Sequence, residues 1–207
     1  MLFISFGPMG RFYLLTLYMQ HILEYDAVRT GLAWLPFGAG IASKVVVRLA
    51  PRVVSEAGTL ISTVAILWLS TITPDSGYLE HLMGGIFAVA FGFGLSFVPL
   101  TLMAVTDVRP EDSGIASALL NAAQQIGVAV GIAALSTISV TTTEGRLPGA
   151  LANLYAARPA GDTGAVSAAS QAIVDGYATA LSSGALILAA AALIVTVMVT
   201  ARPQNQR

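Results

Sequence analysis

No cysteine occurs among the 207 residues, which excludes disulfide staples, thiolate-held metals and thiol nucleophiles. Charge is nearly as scarce: Asp, Glu, Lys and Arg make up 10% of the chain, where soluble domains carry about 25%. So few polar side chains cannot cover a compact globule in water, and 56% of the residues are apolar. The mean hydropathy of +0.78 agrees. The solvent of this chain is therefore largely lipid. A net charge of -1 provides no basic field for nucleic acid, which is excluded as a partner. Where the charges stand matters more than their sum.

Between Leu82 and Thr106, Ser113 and Thr143, and Gly176 and Ala201 no residue is ionised at neutral pH. Each stretch exceeds the roughly 20 residues that cross a bilayer core. A fourth span starts after Pro51 and Arg52 and runs to the turn at Pro74, with Glu56 suited to the positive end of its helix. The stretches before Glu24 and after Thr30 complete the set, although Arg11, Lys44 and Arg48 interrupt them. The expected fold class is an all-α membrane protein of six transmembrane helices in one bundle over 1–207. Its spans lie at about 1–23, 31–49, 53–73, 82–106, 114–141 and 177–201, with an exposed Ala-, Gly-, Ser- and Thr-rich external loop, open to being partly helical, over 142–176.

Six spans put both termini on one side, and lysine and arginine choose which. With the termini inside, the inner links hold Lys44, Arg48, Arg52, Arg109, Arg202 and Arg207, while the outer links hold Arg29, Arg146 and Arg158. That asymmetry predicts cytoplasmic termini at a cell membrane. Met1–Leu23 reads as a retained span and not as a signal peptide, because its cation is central and Glu24 and Asp26 follow in place of a cleavage site.

Five polar side chains inside spans are candidates for a substrate cavity. Arg11 lies in the inner third of the first, where it either snorkels to the headgroups or faces a cavity as a cation for an acidic group. Tyr18, seven residues on, stands on nearly the same face. Asn121, Gln124 and Gln125 recur at i, i+3 and i+4, so three amides crowd one helix face. They read either as hydrogen-bonding glue between helices or as the polar wall of a substrate path. Leu188 in the last span is expected to face lipid. No carboxylate is securely intramembrane, since Asp75, Glu80, Asp107, Glu111 and Asp112 sit at helix ends or in links. His21 and His81 lack companion ligands, so no metal, no cofactor and no enzymatic constellation is expected.

Several runs are familiar: Tyr18-Met19-Gln20, Gly31-Leu32-Ala33-Trp34-Leu35-Pro36, Ser43-Lys44 through Arg48 to Pro51-Arg52, Gly94-Leu95-Ser96-Phe97-Val98-Pro99-Leu100-Thr101, and Gly114-Ile115-Ala116-Ser117-Ala118-Leu119-Leu120-Asn121 continuing to Gln124-Gln125-Ile126-Gly127. In this order, over nearly the whole chain, they resemble the major facilitator superfamily, and within it the C-terminal six helices of the 14-span drug:proton antiporters. The resemblance implies efflux of a small, drug-like or amphipathic substrate through a lipid bilayer, with protons as the coupling ion. It makes Lys44, Arg48 and Arg52 the cytoplasmic basic loop, and it implies a need for an N-terminal transporter half that holds the coupling carboxylates. The second span departs from the family in being short. A truncated or decayed fragment without transport of its own is the alternative expectation.

Overall fold

The computed structural model describes residues 2–42, 51–106 and 109–200, and among them no strand occurs. The helices are α1 (Leu2–His21), α2 (Ala27–Ala33), α3 (Leu35–Ala42), α4 (Pro51–Leu69), α5 (Met83–Thr106), α6 (Ser113–Arg146), α7 (Ala150–Ala160) and α8 (Thr163–Thr200). A π-helical turn over Tyr78–Leu82 leads into α5, and a 3-10 turn over Pro110–Asp112 leads into α6. Among the described residues three stretches are long and apolar enough to cross a bilayer: Tyr78–Phe97, Ser113–Arg146 and Thr163–Ala190. Val53–Leu69 is apolar but shorter.

Two elements differ from the sequence reading. The apolar stretch from Gly31 does not begin as one helix: α2 ends at Ala33, Trp34 turns, and α3 starts at Leu35. Pro36 has no N–H to return to Leu32 and disfavours helix at the residue before it, so the chain breaks there. Asp26 caps α2 by accepting from the Arg29 amide at 2.7 Å. The segment 142–176 is mostly helix and not loop: α6 continues to Arg146, α7 fills 150–160, and α8 begins at Thr163. Its alanines favour helix, and the interruption between α7 and α8 is local. Gly161, at φ 71°, closes α7 with its amide on the Arg158 carbonyl, and Asp162 then accepts from the Ala165 amide at 3.0 Å. With 34 and 38 residues, α6 and α8 run roughly 51 and 57 Å and overshoot a core of about 30 Å.

Helix α4 lies along α5, α1 against α6, and α8 behind α6, α4 and α1, while α3 leans on α5 and α7 on α8. Tyr18, Leu14, Met19, Ile66, Leu69, Leu82, Ile86, Leu135, Leu154 and Leu181 are fully buried where these helices meet. Leu188 is also buried, at 5% exposure, so it faces the bundle and not lipid as expected. The reason is that α8 carries small residues on several sides, and periodicity cannot distinguish the side that its neighbours occupy.

The α4–α5 seam is closer than side chains would normally allow. A Cβ on Gly58 would meet the Gly92 carbonyl oxygen at 2.5 Å, and one on Gly92 would meet the Gly58 oxygen at 2.5 Å. The two backbones approach because neither residue has a side chain. Hydroxyls line the same seam: Thr59 Oγ1 lies 3.1 Å from Ser96 Oγ, which donates to the Ser55 carbonyl at 3.0 Å, and Ser62 donates to the Val89 carbonyl at 3.3 Å. Each buried hydroxyl thereby avoids the cost of an unmade hydrogen bond.

At the end of the bundle that holds the α1–α2 link, α7 is stapled to its neighbours. Arg158 donates to the His21 carbonyl at 2.6 Å and pairs with Glu24 at 2.8 Å, and His21 Nδ1 meets the Tyr155 hydroxyl at 2.7 Å. Arg146 pairs with Asp175 where α6 and α8 overshoot together.

Candidate transport face

Among the three bilayer-length stretches of the described residues, that of α6 is the least covered: 22% of its most apolar part is buried, against 39% in Tyr78–Phe97 and 56% in α8. Gly127, Gly131, Leu135 and Ser139, spaced four apart, form its buried stripe. Leucine 135 fills the space before Gly10 of α1, whose Cβ would stand 2.6 Å from Leu135 Cδ1. Two further faces remain. Ile115, Leu119, Ile126 and Val130 form one, all exposed. Asn121 and Gln125, exposed, and Gln124, half-buried, form the other. At about 100° per residue, Gln124 lies in line with the small-residue stripe and is half-buried, Asn121 lies at the stripe's edge with Ser139, and Gln125 lies on the flank between the stripe and the large apolar side chains. The three amides are thus neighbours, and the flank they form is open at Asn121 and Gln125.

Arg11 and Tyr18 point elsewhere. Arg11 is 3% exposed and borders a small cavity with Phe12, Trp34, Phe37, Leu69, Ile86 and Val89. The Tyr18 hydroxyl is used at the end of the bundle, donating to the carbonyls of Thr73 at 2.7 Å and Ser76 at 3.1 Å and so fixing the α4–α5 turn to α1. Tyr18 is not among the residues that border the Arg11 cavity. Lys44 and Arg48 lie outside the described residues, and Arg52 stands in the first turn of α4.

Two polar groupings escaped the sequence reading. One is the buried row Ser55, Thr59, Ser62, Thr63 and Ser96, whose spacing of four and three along α4 was the available signal. The other is a cleft of about 460 Å³ bordered by Glu24, Asp75, Arg158, Thr163, Ser167 and Gln171. Its residues come from separators far apart in sequence, so no local pattern announces it. Among the described residues no three His, Asp or Glu side chains converge as a metal site would need.

No protein-family profile matches the chain. Individual proteins do. The puromycin resistance protein Pur8 of Streptomyces alboniger is 31% identical over 208 residues, covering 96% of this chain and 39% of Pur8. The cephamycin export protein CmcT of Amycolatopsis lactamdurans is 37% identical over 151 residues, covering 69% of this chain and 31% of CmcT. The MFS-type transporter EfpA of Mycobacterium tuberculosis (strain ATCC 25618 / H37Rv) is 31% identical over 134 residues, covering 61% of this chain and 25% of EfpA. The chain thus spans well under half the length of these relatives. A helical, lipid-compatible chain that aligns almost end to end with an antibiotic resistance protein, and in large part with an antibiotic exporter and an MFS-type transporter, belongs to the major facilitator superfamily, among its drug-export transporters.

Proposed function

We propose that this chain is the C-terminal six-helix bundle of an efflux carrier, which exports small drug-like or amphipathic molecules across the cell membrane when joined to an N-terminal half. The match to Pur8 over 96% of the chain carries this reading, and the export named for CmcT supports it. The amide flank of Asn121, Gln124 and Gln125 forms one wall of the substrate path. Arg11 and Tyr18, turned into the bundle, are left out of that wall. A single bundle offers one wall and nothing to rock against, so alternating access requires the second half. The coupling ion, a proton in this branch, is handled by that half. The retention of reciprocal glycine contacts and satisfied hydroxyls between α4 and α5 favours a working bundle over a decayed one.

Energy-dependent efflux of a fluorescent cationic dye tests the reading. Cells with the chain alone should retain the dye, and cells that also express a related N-terminal bundle should export it. Export by the purified, reconstituted chain alone would refute the need for a second half, and no export from the pair would refute the carrier.

Both termini lie in the cytoplasm, on the argument that Lys44, Arg48, Arg52, Arg109, Arg202 and Arg207 gather on that side. An enzyme reporter active only outside the cytoplasm, fused after Gln206, should stay silent. Activity there would invert the topology.

A further inference from the structure

The cleft of about 460 Å³ opens where the α1–α2 link, the turn at Pro74 and Asp75, the end of α7 and the first turns of α8 come together. Along α8, Thr163, Ser167, Ser170 and Gln171 recur at i, i+4, i+7 and i+8, so one face of the helix lines the cleft with polar groups. Ser170 is 7% exposed, yet its hydroxyl makes no hydrogen bond with the described residues, whereas Ser182 and Ser183 further along α8 each donate to a carbonyl one turn back. Gln171 donates to Asp175 at 3.0 Å through its amide nitrogen, which leaves its carbonyl oxygen as an acceptor. The wall holds Glu24, Asp75 and Arg158, a net charge of -1. Arg158 is spent on Glu24 at 2.8 Å and on the His21 carbonyl at 2.6 Å. The Asp75 carboxylate has no ion pair or hydrogen bond with the described residues, so the uncompensated charge of the cleft is its own.

We propose that this cleft binds a small organic primary ammonium ion, with Asp75 as its counter-charge and Ser170 and Gln171 as hydrogen-bond acceptors. The charge selects a cation. The volume selects an organic one, because small-molecule sites run from about 300 to 1,000 Å³, and among the described residues no three His, Asp or Glu side chains converge to ligate a metal. The hydrogen-bonding pattern selects a primary amine: carboxylate, hydroxyl and amide carbonyl all accept, and a protonated primary amine has three N–H groups to donate. A quaternary ammonium has none, and the aromatic rings that recognise such ions are missing from the lining residues. Ile22, Pro74 and Val166 provide an apolar wall for the carbon chain of the ligand. Every wall of the site belongs to this chain, so binding needs no second bundle. The site is separate from the amide flank and does not depend on what the carrier exports; only its facing outward rests on the cytoplasmic placement of the termini.

Dansylcadaverine, a primary amine that carries a fluorescent ring system, is the probe. The full chain, purified in a nonionic detergent, is titrated into it at neutral pH, and fluorescence anisotropy is read against micelles without protein. The expected result is a saturable rise that n-butylamine reverses, with affinity at least about tenfold weaker in Asp75→Asn and about threefold weaker in Ser170→Ala. Asp75 is exposed, and Ser170→Ala removes a hydroxyl that holds nothing in the fold, so thermal unfolding of both variants should match the parent. A rise no greater than that of empty micelles overturns the proposal, and so does binding unchanged in Asp75→Asn. Displacement by tetramethylammonium as effective as that by n-butylamine also overturns it, because charge without N–H donation would then suffice. Equal displacement by calcium chloride overturns it in favour of a metal site. Should Asp75→Asn fail to fold, Ser170→Ala and the comparison of n-butylamine with tetramethylammonium decide.

Discussion

Gly58→Leu is expected to destroy the bundle, with little folded protein recovered from membranes. The added Cβ alone would meet the Gly92 oxygen at 2.5 Å, Ser96 Oγ at 2.6 Å and Leu95 Cβ at 2.7 Å. Backbone cannot rotate away as a side chain can, so α4 and α5 must separate. Separation also breaks the Thr59–Ser96 contact and the Ser96 bond to the Ser55 carbonyl, leaving hydroxyls unpaired in an apolar setting. Overpacking typically costs about 1–3 kcal/mol, and the lost hydrogen bonds add roughly 1 kcal/mol each. Thermal unfolding and protease resistance in detergent measure the effect. Gly84→Leu is the control, because a Cβ there meets nothing within 4 Å. Equal stability of the two variants would show that the close approach of α4 and α5 is not required.

Replacing Asn121, Gln124 and Gln125 together with alanine should lower dye export by the paired halves on the order of 100-fold, at unchanged abundance. Each amide that contacts substrate or its bound water in the transition of the carrier contributes about 1 kcal/mol, and about 1.4 kcal/mol is a tenfold change. Asn121 and Gln125 are exposed and Gln124 is half-buried, so thermal unfolding of the variant in detergent accompanies the export measurement. Initial export rates, normalised to protein in the membrane, report the result. A rate within about twofold of the parent would assign the amides to packing and end their role as a wall.

The fate of individual residues shows what each level of description can resolve. Arg11 was recognisable as an intramembrane cation from its place in an apolar run, yet whether it snorkelled or faced a cavity depended on where α3, α4 and α5 came to lie. Tyr18 shares its helix face by spacing, but its partners are carbonyls at Thr73 and Ser76, more than fifty residues away. The amides of α6 were legible as a group because three and four residues bring side chains together on any helix. That Asn121 and Gln125 stay exposed while Leu188 is covered follows from which sides of α6 and α8 meet their neighbours.

By itself the sequence determined the solvent, the helical class, the family and the existence of an amide face. Those properties are sums and local periodicities: too few charges to cover a globule, apolar runs as long as a bilayer is thick, and motifs in a familiar order. Tertiary structure alone decided that α4 and α5 touch through Gly58 and Gly92, that Arg158 of α7 holds His21 and Glu24, and that the Arg11 guanidinium is shut away from both ends of the bundle. Each of these is a contact between residues distant in the chain. Such contacts are set by helix packing, which no periodicity encodes.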